Sequence, residues 1–234
     1  YLFVEKRNKF VTKKAVLVTV AFAVFIFSAN YLKISTLWTN QSILKLDDFL
    51  SYDIGKQQWQ FGHEPESNCF LTSVKNDVRF FNYEYCLAKA DGKNLLLIGD
   101  SHAAHLSQAV RQVFKDYNVM QVTASGCLPF IHAGGAKYCT QLINDIYDNR
   151  IKTLKPDLVL ISARWLLNKD VNNVFANIVN TVNFLEKQDI AVYIIGQNRE
   201  FDMDLPRLMQ IKGMENLSLY NSKKALIVNA ALGD

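Results

Sequence analysis

Proline, histidine and cysteine are scarce in this chain of 234 residues, with four of each. No two cysteines stand in a Cys-x-x-Cys spacing, which removes the commonest zinc-site pattern. Internal repeats and low-complexity tracts are also missing, so neither a solenoid nor a biased linker is in question. Nor is there a basic stripe. The net charge is +4, but the excess sits mostly in the first fourteen residues, and nothing downstream is fit to track a phosphate backbone. Nucleic acid is therefore not an expected partner. With 50% apolar and 21% charged residues the chain is not of the disordered class, and its length allows one ordinary domain with appendages.

One long run has no charge at all: "AVLVTVAFAVFIFSANYL", the eighteen residues from Ala15 to Leu32. As a helix rising about 1.5 Å per residue it covers roughly 27 Å, near the thickness of a bilayer's hydrocarbon core. We read it as one transmembrane helix, because it is long for a signal-peptide core and no small-residue cleavage site follows it. Lys6, Arg7, Lys9, Lys13 and Lys14 precede it and only Lys33 follows closely. The positive-inside rule then puts residues 1–14 in the cytoplasm and Asn40 to Asp234 outside, which in a bacterium means the inner membrane with the main domain in the periplasm.

The cysteines suit an oxidising compartment, since they fall as Cys69 with Cys86 and Cys127 with Cys139, each pair bracketing a loop-like segment. Four cysteines allow three pairings, and neighbour pairing is the expectation. Four buried thiols remain the alternative.

Residues 33–93 mix aromatics with Asp, Gly and Asn and show no sustained period, so they read as an irregular extension packed by anchors such as Trp59, Phe61, Phe80, Phe81, Tyr83 and Tyr85. From Asn94 the pattern changes. Short runs rich in Val, Ile and Leu predict strands over Asn94 to Gly99, Asn118 to Ala124, Asp157 to Ala163 and Ile190 to Gly196. Helical stretches lie between them, near His102 to Asp116, Thr140 to Leu154 and Val171 to Lys187, with Pro156 ending the second. The expected fold class is α/β, a parallel sheet flanked by helices over residues 94–234.

The first of these strands runs directly into Gly-Asp-Ser-His: "NLLLIGDSHAAHLSQAV", Asn94 to Val110. Ligands of open parallel sheets gather at the carboxyl ends of strands. Ser101 there is a candidate nucleophile, with helix N-terminal amides behind it for a developing oxyanion. The plain alternative is a helix cap by Asp100 or Ser101. His102 is placed in the site, His105 on a helix face, and His63 and His132 in polar loops. Asp100, His102 and His105 are too few for a metallophosphatase centre, so no metal is expected.

"LLLIGDSHAAHL" resembles the first conserved block of the SGNH (GDSL-type) hydrolases, in the version fused to membrane acyltransferases of acyltransferase family 3. "ASGCLPF" is similar to the Gly-Cys-x-Pro segment that follows in that group, and "YLFVEKRNK", Tyr1 to Lys9, is similar to the end of the acyltransferase membrane domain. The resemblance implies a flavodoxin-like SGNH fold, Ser101 as nucleophile, and the N–H groups of Ser101 and Gly126 as oxyanion donors. It further implies an upstream membrane domain of the same protein that uses an acyl donor such as acetyl-CoA, an acyl-ester on Ser101, and a surface polysaccharide as acceptor. No cofactor is expected on this chain itself.

Two features depart from the family. The third strand runs into "ISARWLLN" rather than a block carrying an oxyanion Asn, which leaves Arg164 as a candidate for binding an anionic or sugar oxygen. The Asp-x-x-His that supplies the family's base is absent, so the chain is expected to be a fragment that is inactive alone. An esterase acting on acylated glycans and a glycan-binding module without catalysis are the alternative readings.

Overall fold

Every residue of Lys93–Gly99 (β2) after Lys93 is buried. Leu96 and Ile98 belong to one apolar cluster, while Leu95 and Leu97 belong to another on the opposite face. Successive side chains of a strand point to opposite faces, so the uninterrupted Leu-Leu-Leu-Ile run is the mark of a strand covered on both sides. Tyr117–Ala124 (β3) and Leu158–Ser162 (β4) flank it as parallel neighbours, with Ala191–Ile195 (β5) beyond β4. These four segments agree with the predicted strands to within two residues at each end.

The computed structural model describes residues 16–28, 68–168, 170–212 and 217–233. The expected cytoplasmic stretch 1–14, the motif Tyr1 to Lys9, the ends of the apolar segment, residues 33–67 and His63 lie outside the described residues. The chain divides into two compact units, Tyr1–Tyr52 with Met203–Leu217, and Asp53–Asp202 with Ser218–Asp234. In the first, residues 16–28 form helix α1, whose large apolar side chains are exposed, Phe22 and Phe27 among them. Among the described residues no helix is long and apolar enough to cross a membrane.

The second unit holds the sheet, in the order β1-β3-β2-β4-β5. Its edge strand β1, Phe70–Leu71, lies in the stretch expected to be irregular and pairs in parallel with Thr123 and Ala124 of β3. Two residues are too few to show a hydrophobic period, so the strand has no signal of its own in the sequence. Nearby, Tyr83–Cys86 (α2) forms a single turn capped by Asn82. The disulfides are Cys69–Cys86 and Cys127–Cys139, with Cα atoms 5.5 and 5.3 Å apart, as neighbour pairing required. The first ties α2 to the residue preceding β1.

Helices cover both faces. Ser101–Ala104 (α3) and Ser107–Val113 (α4) contribute Ala103 and Val110 to the smaller cluster. The larger cluster takes Leu142 and Ile143 of Lys137–Asp145 (α5), Ile151 of Ile151–Leu154 (α6), and Val174 and Ile178 of Val171–Glu186 (α7). The helix predicted over Thr140 to Leu154 is thus continuous but underwound at Ile146–Arg150 into a π turn, and it ends at Lys155, whose φ of 38° is left-handed. The residue before a proline is driven out of the helical region, and Pro156 follows. The helix predicted from His102 to Asp116 breaks at His105 and Leu106. Two helices lie toward the chain's end, Leu205–Lys212 (α8) in the first unit and Lys223–Gly233 (α9) in the second.

Gly99 has a reason beyond the turn that follows it. A Cβ there would lie 1.8 Å from the backbone oxygen of Ser162 and 2.7 Å from the Cβ of Ala103, because β4 and α3 both close on this residue. The atom it would strike first is backbone, which has no rotamer with which to yield. Gly99→Ala is expected to destabilise the chain by about 3 kcal/mol or more, beyond ordinary overpacking, read as a lowered urea midpoint. An unchanged midpoint would show that β2 and β4 are not held at this spacing.

Candidate active site

Strand order decides where a site can form. From β2 the chain moves to β3 on one side, then crosses to β4 on the other, so the connections leaving β2 and β4 diverge at their carboxyl ends and leave a crevice. Asp100, Ser101 and His102 follow β2, Ala163 to Trp165 follow β4, and Ser125 to Cys127 follow β3.

Asp100 organises this rim. It is fully buried and is the N-cap of α3, its Oδ1 accepting from His102 N–H at 2.7 Å. Its other oxygen, Oδ2, accepts from Arg164 N–H at 2.9 Å, across the crevice. The capping role left open between Asp100 and Ser101 therefore falls to Asp100, and Ser101 is freed from it. Among the described residues no hydrogen bond is made by the Ser101 hydroxyl, by its N–H, or by Gly126 N–H. Burial pushes the Asp100 carboxyl up, against the pull of the amides of Arg164 and His102 and of the nearby His102 ring.

Gly126 sits in a turn closed by Cys127 N–H donating to Ala124 oxygen, with φ at 69°, a left-handed conformation that favours glycine. The turn is braced by the Cys127–Cys139 bridge and by the Tyr138 hydroxyl donating to Ser125 oxygen at 2.7 Å. Since Gly99 is opposite Thr123 in the ladder, Ser101 and Gly126 leave the same rim two and three residues past a matched pair. The expected helix dipole behind Ser101 is small, because α3 has only four residues. That leaves individual N–H groups, rather than a long helix, as the candidate donors.

Arg164 is exposed, and two of its nitrogens pair with Glu200, Nε to Oε1 at 2.7 Å and Nη2 to Oε2 at 3.0 Å. The Arg164 guanidinium lowers the Glu200 carboxyl, and Glu200 raises Arg164 in turn. That fork is an ordinary surface ion pair, which commits the guanidinium expected to bind an anionic or sugar oxygen. Trp165, fully buried, donates its indole N–H to Ile195 oxygen at 2.9 Å and stacks on Phe130, pinning the loop after β4 to the end of β5.

The loop after β5 reaches the site without having been singled out in the sequence. Asn198 Nδ2 lies 3.3 Å from Nδ1 of His102. Gln197 accepts from Leu166 N–H and donates to Glu200, while its own backbone is gripped by Asn229 of α9 through N–H at 2.6 Å and oxygen at 3.0 Å. Gln, Asn and Glu after a strand give no pattern distinguishable from any polar loop; only the fold brings them to Ser101's neighbour. His105 is exposed at the end of α3, ring-edge to His102 at 6.0 Å, and His132 stands in a loop of its own. Burial lowers the His102 imidazole most, offset by Asp100, so it is held neutral more readily than an ordinary histidine. Among the described residues no group of His, Cys, Asp or Glu is placed to hold a metal.

A parallel sheet with helices on both faces, and a serine freed from capping at its switch point, define the class as an α/β protein with a candidate nucleophile at the strand-end rim. Residues 68–227 match the family described as SGNH domain (fused to AT3 domains), and the chain belongs to it. Among solved structures it is similar to the periplasmic domain of a lipopolysaccharide acetyltransferase of Salmonella ser. Paratyphi A, with a TM-score of 0.58 and 18% identity over 79% of this chain and 76% of that one. A GDSL-like lipase from Bacteroides thetaiotaomicron gives 0.39 and 16% over 60% of this chain and 62% of that one. No curated protein matches the sequence.

Asp100→Ala removes a buried ionic acceptor from two amides on different loops. It is expected to cost about 2–4 kcal/mol in chemical denaturation, from one lost cap and one lost charged hydrogen bond. Arg164→Ala, which breaks a pair that is 48% exposed on the arginine side, is expected to cost less than about 1 kcal/mol. Equal losses for the two would refute the ranking.

Proposed function

We propose that this chain is the exported part of a membrane-bound O-acyltransferase, which passes an acyl group, acetyl first among them, to hydroxyls of a surface glycan through an ester on Ser101. The observation that carries this reading is that the Ser101 hydroxyl makes no hydrogen bond among the described residues and shares a strand-end rim with Gly126, the N–H groups of both residues also having no partner among the described residues. Family membership and the likeness in fold to the lipopolysaccharide acetyltransferase domain support it.

In the proposed reaction Ser101 Oγ attacks the acyl carbonyl carbon and loses its proton to a base. The carbonyl oxygen, now carrying the negative charge, accepts from the N–H groups of Ser101 and Gly126. Collapse expels the donor and leaves the serine ester, which a sugar hydroxyl then takes over by the same route in reverse. The sequence holds no Asp-x-x-His, so the chain by itself is expected to be inactive.

The compartment follows from the same reading. Two disulfides fit an oxidising space outside the cytoplasm. The exposed apolar side chains of α1 suit lipid better than water, which supports a single span over Ala15 to Leu32 with the bilayer and an upstream membrane domain as partners.

In cells carrying the intact protein, Ser101→Ala should abolish glycan O-acylation, with a loss of at least about a thousandfold in turnover. Mass spectrometry of the surface polysaccharide and of the Ser101 peptide is the measurement. An acylated glycan persisting in the variant would remove Ser101 from the reaction. Acyl release dependent on Ser101 but without acylated glycan would instead make the protein an esterase.

A further inference from the structure

His102 is the imidazole nearest in sequence to Ser101, and its protonation pattern decides whether it can act as a base. The amide nitrogen of Asn198 can only donate, so Nδ1 of His102, 3.3 Å away, must offer a lone pair. An imidazole with an unprotonated Nδ1 is neutral and carries its one proton on Nε2. No described residue hydrogen-bonds to Nε2, and the ring is only partly buried. We propose that Asn198 is a positioning residue that fixes His102 as the Nε2–H tautomer, so that this ring presents a hydrogen-bond donor to an oxygen of the bound ligand and no base to Ser101.

The setting makes the arrangement firm. Asn198 rides on a loop whose preceding residue is anchored four times: by Asn229 at both backbone groups, by Leu166 N–H, and by Glu200. A Cβ at Gly196 would lie 2.7 Å from the Asn229 oxygen, so a side chain there would have to shift the amide that grips Gln197. His102 is fixed from the other side by its own N–H on Asp100. The charged and titratable groups facing the ring are Asp100 and His105 from the α3 segment, Arg164 after β4 and Glu200 after β5. Arg164 and Glu200 cancel as a pair. Asp100 spends both oxygens on backbone amides, which leaves Asn198 as the group that selects the tautomer.

The inference deepens the acyl-transfer reading and rests on it for the identity of the ligand oxygen, but its test does not require turnover. In the whole chain labelled with nitrogen-15, two-bond proton–nitrogen spectra near neutral pH should show His102 with a pyrrole-type Nε2 and a pyridine-type Nδ1, the signal being assigned by its loss in His102→Gln. Asn198→Asp exchanges a donor for an acceptor, so it should invert the pattern to Nδ1–H and raise the His102 pKa by about 1–2 units. A wild-type ring protonated at Nδ1 overturns the proposal, as does a pattern unchanged in Asn198→Asp. Should that variant fail to fold, the wild-type spectrum alone decides. Ser101→Ala should leave the tautomer as it is, so failure of acyl transfer and failure of this assignment are read separately.

Discussion

One buried carboxylate holds the rim together. Asp100 has no contact with solvent, and its two oxygens reach amides that belong to different strand connections, His102 after β2 and Arg164 after β4. A buried carboxylate must be hydrogen-bonded or its burial cost stands unopposed. The same bonds set the separation of the two loops across the crevice. They also settle which residue closes the helix. With the cap assigned to Asp100, the neighbouring hydroxyl is left without a capping role.

The second constraint is close packing at two glycines. Gly99 lets the backbone of β4 approach β2, and Gly196 lies against the Asn229 amide that grips the loop after β5. Between them Trp165 and Gln197 join the β4 and β5 connections. The rim is therefore built from backbone amides and short polar side chains fixed at both ends, which is the condition for preorganised donors. Flexible lysines or long ion pairs would have to be ordered anew at each turnover.

What the sequence made legible follows the strength of each signal. Most of the strands β2 to β5 are apolar on both faces and all stood out without aid, and the cysteine spacing pointed to the right pairing. The position of Ser101 was carried by strand, Gly-Asp-Ser and helix in that order. The two-residue strand Phe70–Leu71 had no period to read, and the helix after Ser101 was expected to be long because His105 and Leu106 do not look like a break. Asn198, Gln197 and Glu200 were invisible for another reason: their meaning lies in distances to residues about 30 to 100 positions away, which composition does not encode.

The charges of the rim limit how an oxyanion can be stabilised there. Arg164, which follows β4 at the crevice, is committed to Glu200 through a two-nitrogen fork, and the pair has no net charge. His102, with Nδ1 occupied by Asn198, is neutral. Asp100 pushes the local balance negative when ionised. On the proposed acyl-transfer reading, a negative charge developing next to Ser101 would be met by N–H dipoles, those of Ser101 and Gly126, with the Nε2–H of His102 as a third neutral donor. Neutral donors stabilise a transient oxyanion without tightly binding an anionic ground state, a selectivity that on this reading would favour the transition state over the substrate. Unpairing Arg164 would bring a full charge to the rim and strengthen ground-state binding as well, so the Glu200 fork belongs to the same design as the free amides.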